Sequence, residues 1–140
     1  MSNARARLYT GGCLCGALRY VAQGEPAYAG HCYCEDCRKA SGSGFIPFIG
    51  FPARAVTFTG RSQTFICQSA SGGDAVRNFC SVCGGLVFGG LVGEDDMHTI
   101  YAGSLDEPSL FEPTIAIFTR DRPAWAPLPP ELTCFETTPG

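Results

Sequence analysis

The chain is expected to fold as an all-β protein of short strands with little helix. Three observations lead there. The composition is 45% hydrophobic but only 16% charged, with 18 Gly and 10 Pro to make turns. No stretch carries a sustained 3.6-residue apolar periodicity. Apolar segments of strand length recur along the chain, separated by glycine-rich turns.

Taken in order, residues 1–10 read as a polar N-terminal extension, and residues 11–140 as one domain. A chain of 140 residues is long enough to bury a core without disulfides. Strands are expected at 17–21, 44–49, 56–59, 64–68, 86–91, 99–102 and 114–119. The turns between them include Gly11-Gly12, Gly42-Ser43-Gly44, Ser71-Gly72-Gly73-Asp74 and Gly84-Gly85. The one helical turn is placed at 34–40. There Glu35 and Asp36 precede Arg38 and Lys39, the order the helix dipole favours. Residues 123–130 hold four prolines and should run extended along the surface.

The basic start, Met1 to Leu8, is followed by no apolar run of signal-peptide length, and glycine interrupts each later apolar stretch. A cytoplasmic protein that neither crosses nor coats a membrane is therefore expected. In a reducing compartment its nine cysteines make better metal ligands than disulfides. The formal charge is −3, and falls to about −6 once seven thiolates and two dications are counted. With no Lys/Arg-rich stretch, nucleic acid is not an expected partner.

The cysteines fall into three groups: Cys13-Leu14-Cys15, then Cys32-Tyr33-Cys34-Glu35-Asp36-Cys37, then Cys80-Ser81-Val82-Cys83. Residues two apart in a strand point the same way, so Cys13 with Cys15, and Cys32 with Cys34, can each offer two sulfurs to one ion. A CxxC does the same across a tight turn, and Gly84-Gly85 relieve crowding after it. A structural zinc takes four protein ligands, whereas a reactive one commonly keeps three. Cys13, Cys15, Cys80 and Cys83 would then close one site, leaving Cys32, Cys34 and Cys37 as a three-ligand set with a vacancy. The rival division draws a four-ligand site partly from the middle group and strands a thiolate pair.

Of the remaining candidates, Cys67 reads as a core residue in a strand, with completion of the open site as its alternative. Cys134 reads as incidental. His31 neighbours Cys32 but should face the other way, giving it a hydrogen-bonding role beside the site rather than a ligand's. His98, next to Asp95-Asp96, reads as exposed in an acidic loop, and Trp125 as a core aromatic, with lining of the substrate pocket as its alternative.

The run His31 to Ser43, framed by Gly12-Cys13-Leu14-Cys15-Gly16 and by Arg77-Asn78-Phe79-Cys80-Ser81-Val82-Cys83-Gly84, resembles the glutathione-dependent formaldehyde-activating (GFA) family. This is also called the S-(hydroxymethyl)glutathione synthase family, and it includes centromere protein V-like proteins. Gly103-Ser104-Leu105-Asp106-Glu107-Pro108, with Arg122, Trp125, Leu128 and Pro129, extends the resemblance to about residues 11–139. It implies a β-tent of short antiparallel sheets and the ligand division reached above. Structural zinc would lie on Cys13, Cys15, Cys80 and Cys83, and catalytic zinc on Cys32, Cys34 and Cys37. One departure stands out: the family often has a histidine where this chain has Ala116.

The resemblance further implies a carbon–sulfur lyase whose namesake reaction joins glutathione to formaldehyde. Three thiolates make zinc a poor Lewis acid but leave it able to hold an incoming thiol as the nucleophilic thiolate. Arg38, Lys39 and Ser41 are the expected contacts for the carboxylates of such a thiol, the alternative being solvated residues on a turn. The competing reading is a non-enzymatic zinc module that binds a protein partner. It requires a fourth protein ligand at the second site, drawn from Cys67 or His31.

Overall fold

A computed structural model describes residues 7–139. Eleven strands run in chain order: β1 (Leu8–Gly12), β2 (Arg19–Gln23), β3 (Tyr28–Cys32), β4 (Ile46–Pro52), β5 (Val56–Thr59), β6 (Ser62–Gln68), β7 (Asp74–Cys80), β8 (Leu86–Gly89), β9 (Met97–Tyr101), β10 (Ile115–Ile117) and β11 (Thr133–Cys134). One α-helix, α1 (Glu35–Ser41), interrupts them between β3 and β4. Among the described residues, no helix is long and apolar enough to cross a membrane.

The strands form two sheets, one of three in the order β1-β2-β5 and one of eight in the order β11-β10-β3-β4-β9-β8-β7-β6. The expected antiparallel pairing holds for most neighbours, but β10 runs parallel to both β3 and β11. The chain re-enters beside β3 from the same end, after a long excursion that only tertiary packing brings back.

The main core lies between the sheets. Tyr9, Leu18, Tyr20 and Ala22 from the small sheet's side meet Ile49, Phe51, Val87, Phe88 and Ile100 of the large one. Each such large apolar side chain contributes about 1.5–3 kcal/mol by leaving water. On the other face of the large sheet, Ile46 and Phe48 join Cys32, Cys34, Cys37 and Phe118 in a second cluster. β4 thus serves both cores. Ile49 and Phe51 point one way and Phe48 the other, which explains its nearly unbroken apolar run.

Several strands differ from expectation. The boundary expected at residue 11 falls inside β1, whose Tyr9 is buried; the first six residues of the expected extension lie outside the described residues. β3 and β7 were not anticipated, because Gly30 and His31 in one and Arg77 and Asn78 in the other break the apolar pattern. Asn78 is buried because its side-chain amide finds hydrogen-bond partners, all of them distant in sequence. Its Nδ2 donates to the carbonyls of Phe88 (3.1 Å) and Gly90 (2.9 Å), and its Oδ1 accepts from Thr64 (2.8 Å).

Two side chains correct their expected places. His98 is buried in β9, edge-on to Phe58 and Phe88, with Nδ1 3.1 Å from the Gly89 carbonyl. The strand starts one residue before it and turns it inward, where it forms the floor of a cleft rimmed by the acidic loop. Trp125 is 71% exposed, so it is not a core aromatic. Its neighbour Ala126 takes the buried position in the proline-rich tail, held by a bond from Arg122 to its carbonyl (2.6 Å).

Candidate functional site

The first cysteine group forms where the two sheets meet. Cys13 and Cys15 lie in the loop after β1, Cys80 ends β7, and Cys83 follows in the turn before β8. Their four sulfurs lie within 4.8 Å of one another. The Cys13–Cys15 and Cys15–Cys80 separations are both 3.7 Å. Sulfurs held about 2.3 Å from one ion at tetrahedral corners sit about 3.8 Å apart, so the spacing is that of a closed ligand set. Backbone N–H groups of Leu18 and Val82 point at the sulfurs of Cys13 and Cys80, each at 3.3 Å. Against the effect of burial, hydrogen bonds from Leu18 and Cys80 draw the Cys13 thiol down to about 6.

The second group is local. Cys32 ends β3, Cys34 is the N-cap of α1, and Cys37 lies in its first turn. The Cys34 sulfur accepts the Cys37 N–H at 3.2 Å, the work a serine or aspartate oxygen does at other helix starts. All three sulfurs lie within 4.8 Å of one another, and no other Cys, His, Asp or Glu among the described residues joins them. Hydrogen bonds from Cys32 and Cys37 pull the Cys34 thiol well below the usual thiol range, while the same network pushes Cys32 upward. Three buried thiolates this close would need a cation between them.

Cys32 and Cys37 open onto a cavity of about 490 Å³ walled by both arms of the large sheet. Its lining is mainly apolar, with Phe48, Val76, Met97 and Ile117 among the walls. Tyr101 also lines it, its hydroxyl pushed upward by burial and so kept protonated. A Cβ on Gly89 would come within 3.2 Å of that hydroxyl, so glycine keeps this wall open.

Arg77, from β7, is the cationic member of the lining, a place the sequence motif containing it gave no sign of. It is nine-tenths buried, with Nη2 3.8 Å from Cys37 Sγ and Nη1 3.7 Å from Cys67 Sγ. Its Nε has no partner. In the sequence Arg77 stands in the segment framing the third cysteine group, but its inward place on β7 is decided by the fold.

The other candidates fall outside the cavity. Lys39 pairs with Glu35 on the exposed face of α1, at 3.0 Å. Arg38 lines a separate polar cleft with Asp36 and Arg120. The Ser41 hydroxyl donates to the Cys37 carbonyl (2.8 Å) and accepts from Ser43 N–H (3.1 Å), in a side cleft that shares Ile46 and Tyr101 with the main cavity. His31 stacks on Phe45 at 4.3 Å, with Nδ1 3.3 Å from the Tyr33 hydroxyl, and burial lowers its pKa. Cys67 meets Arg77 rather than the cluster, and Cys134 is exposed. Neither Cys67 nor His31 supplies the fourth ligand that a purely structural second site requires.

Ala116 faces away from the thiols, packed with Tyr33, Ala126 and Leu132, while Ile117 beside it reaches the cavity. The Gly103 to Pro108 segment is structural: Ser104 bonds the Tyr20 hydroxyl at 2.8 Å, and Asp106 accepts from Arg19 and Thr10.

This is a mostly β protein with two cysteine clusters able to hold metal, one closed and one short of a ligand. The family described as glutathione-dependent formaldehyde-activating enzyme matches it over residues 8–121, and the chain belongs to that family. The crystal structure of a Rhodobacter sphaeroides protein is similar in fold, with a TM-score of 0.52 at 21% identity. That alignment covers 74% of this chain and 96% of the other. No curated protein matches it.

Proposed function

We propose that the protein is a zinc-dependent carbon–sulfur lyase, acting in the direction that joins a small thiol, glutathione in the family's namesake reaction, to formaldehyde or a related small electrophile. The observation that carries this reading is a three-thiol set, lacking a fourth protein ligand, at the wall of a 490 Å³ cavity.

The donor sets suit zinc: all-sulfur ligands, tetrahedral spacing in the first cluster, and N–H groups aimed at the sulfurs. Cys13, Cys15, Cys80 and Cys83 would hold one ion, and Cys32, Cys34 and Cys37 the other. Zinc held by these three thiolates would supply a position that lowers the pKa of a bound substrate thiol.

The chain's own residues account for the remainder. The mainly apolar walls lower the local polarity around the few charges in the cavity, which strengthens their field. Arg77 places positive charge against the sulfur cluster, and the protonated Tyr101 hydroxyl is available to the aldehyde oxygen. The substrate sulfur forms a bond to the aldehyde carbon, the carbonyl π pair moves to oxygen, and the proton lost by the thiol ends on that oxygen. Nothing else is consumed.

Zinc-loaded protein mixed with glutathione and formaldehyde is expected to form adduct faster than the uncatalysed reaction. Cys34→Ser should remove the excess while preserving a capping atom for α1. A wild-type rate equal to background overturns the proposal.

A further inference from the structure

The cavity's charge pattern says more about the thiol than the family resemblance does. Its polar side chains are few. The Tyr28 hydroxyl and Thr99 Oγ1 bond to each other at 2.9 Å and so absorb each other's polarity. No Asp or Glu is among the described residues that line it. Arg77 is left as the single permanent charge, and no carboxylate among the described residues pairs with it. Its two terminal nitrogens reach only sulfur, at 3.7 and 3.8 Å, and Nε reaches nothing. The sulfur cluster balances part of its charge, but long N–H···S contacts and a bare Nε leave donor capacity on the guanidinium, and a carboxylate is the oxygen partner its planar fork fits best.

We infer that this site, read as a thiol–aldehyde centre, prefers a thiol with one carboxylate close to its sulfur and an apolar body, over glutathione. The closeness follows from Arg77, whose Nη2 lies against a sulfur of the very cluster that would receive the thiol. A carboxylate on Arg77 is therefore only a few bonds from that sulfur. The apolar body then lies along Phe48, Val76, Met97 and Ile117. Glutathione fits this pattern poorly. It carries two carboxylates and an ammonium, and among the lining residues the ammonium finds no acidic partner, so burying it there is unfavourable.

The test measures binding to the zinc-loaded wild-type chain by titration calorimetry, with three probes: 2-mercaptohexanoate, its methyl ester and glutathione. The free acid is expected to bind at least about tenfold more tightly than either of the others, the equivalent of one charge-assisted hydrogen bond. Arg77→Gln should erase the difference between acid and ester. Because that substitution also touches Cys37, the wild-type ligand series decides the matter without it. Equal affinity for acid and ester, or tighter binding of glutathione, overturns the inference. Formaldehyde adduct rates for the same thiols separate the two levels of argument. Rates above background with no preference for the acid leave the proposed reaction standing and remove only this inference. Background rates for every thiol remove both.

Discussion

Cys34 does two things with one sulfur: it caps α1 and it joins the three-thiol cluster. This couples the start of the helix to the ligand set, so that Cys37 arrives one turn later on the correct side. Ala116 shows the opposite economy. Its methyl group is buried against Tyr33, Ala126 and Leu132, on the side away from the cavity, and there is no room for an imidazole. Ala116→His, which restores the residue common in the family, should cost about 1–3 kcal/mol through overpacking. It should leave the thiol–aldehyde rate no higher than wild type. Chemical denaturation and the adduct assay read the two effects separately, and a faster variant would show that the residue communicates with the site.

The helix α1 is short, so its ends matter more than its middle. Gly42 closes it with φ of 75°, and its N–H bonds the Arg38 carbonyl at 2.9 Å. A Cβ added there meets nothing within 4 Å, so the cost of Gly42→Ala is purely that of the left-handed backbone, about 1 kcal/mol. Gly42→Asn should cost less, because asparagine tolerates that conformation. Equal stability of the two variants in urea denaturation would show that the end of the helix relaxes instead. Strand β7 makes a related point about elements. Arg77 and Asn78 give it a polar appearance, but Asn78 locks it to β6 and β8, and Arg77 delivers charge to the cavity.

The two cysteine clusters make unequal demands on the whole molecule. The first joins residues far apart in the chain and pins the small sheet to the end of β7, whereas the second spans a single loop and helix turn. Closing the longer loop restricts the unfolded chain more. Cys15 is exposed, so Cys15→Ser loses little packing. It should nevertheless lower the stability of the metal-loaded protein by about 2–4 kcal/mol more than Cys34→Ser does. Thermal unfolding with and without a strong chelator checks this: the gap between the variants should close when metal is removed from both. A gap that persists in the chelated protein would assign the effect to packing alone.

The cysteine spacings were enough to divide seven cysteines into the groups of four and three that the fold brings together, because strand and turn geometry are local constraints that a sequence carries openly. The helix at 34–40 and most of the strands were likewise readable from caps, turns and apolar runs. The cavity was not. Arg77, Tyr101, Phe48 and Met97 lie on three separate strands, β7, β9 and β4, and they become one wall only after β4, β9, β8 and β7 pair side by side. Arg38 and Lys39 were adjacent to the ligands in sequence, yet the helix turns them to solvent or to another cleft. Ligand sets depend on neighbours along the chain, and substrate contacts depend on neighbours across the sheet.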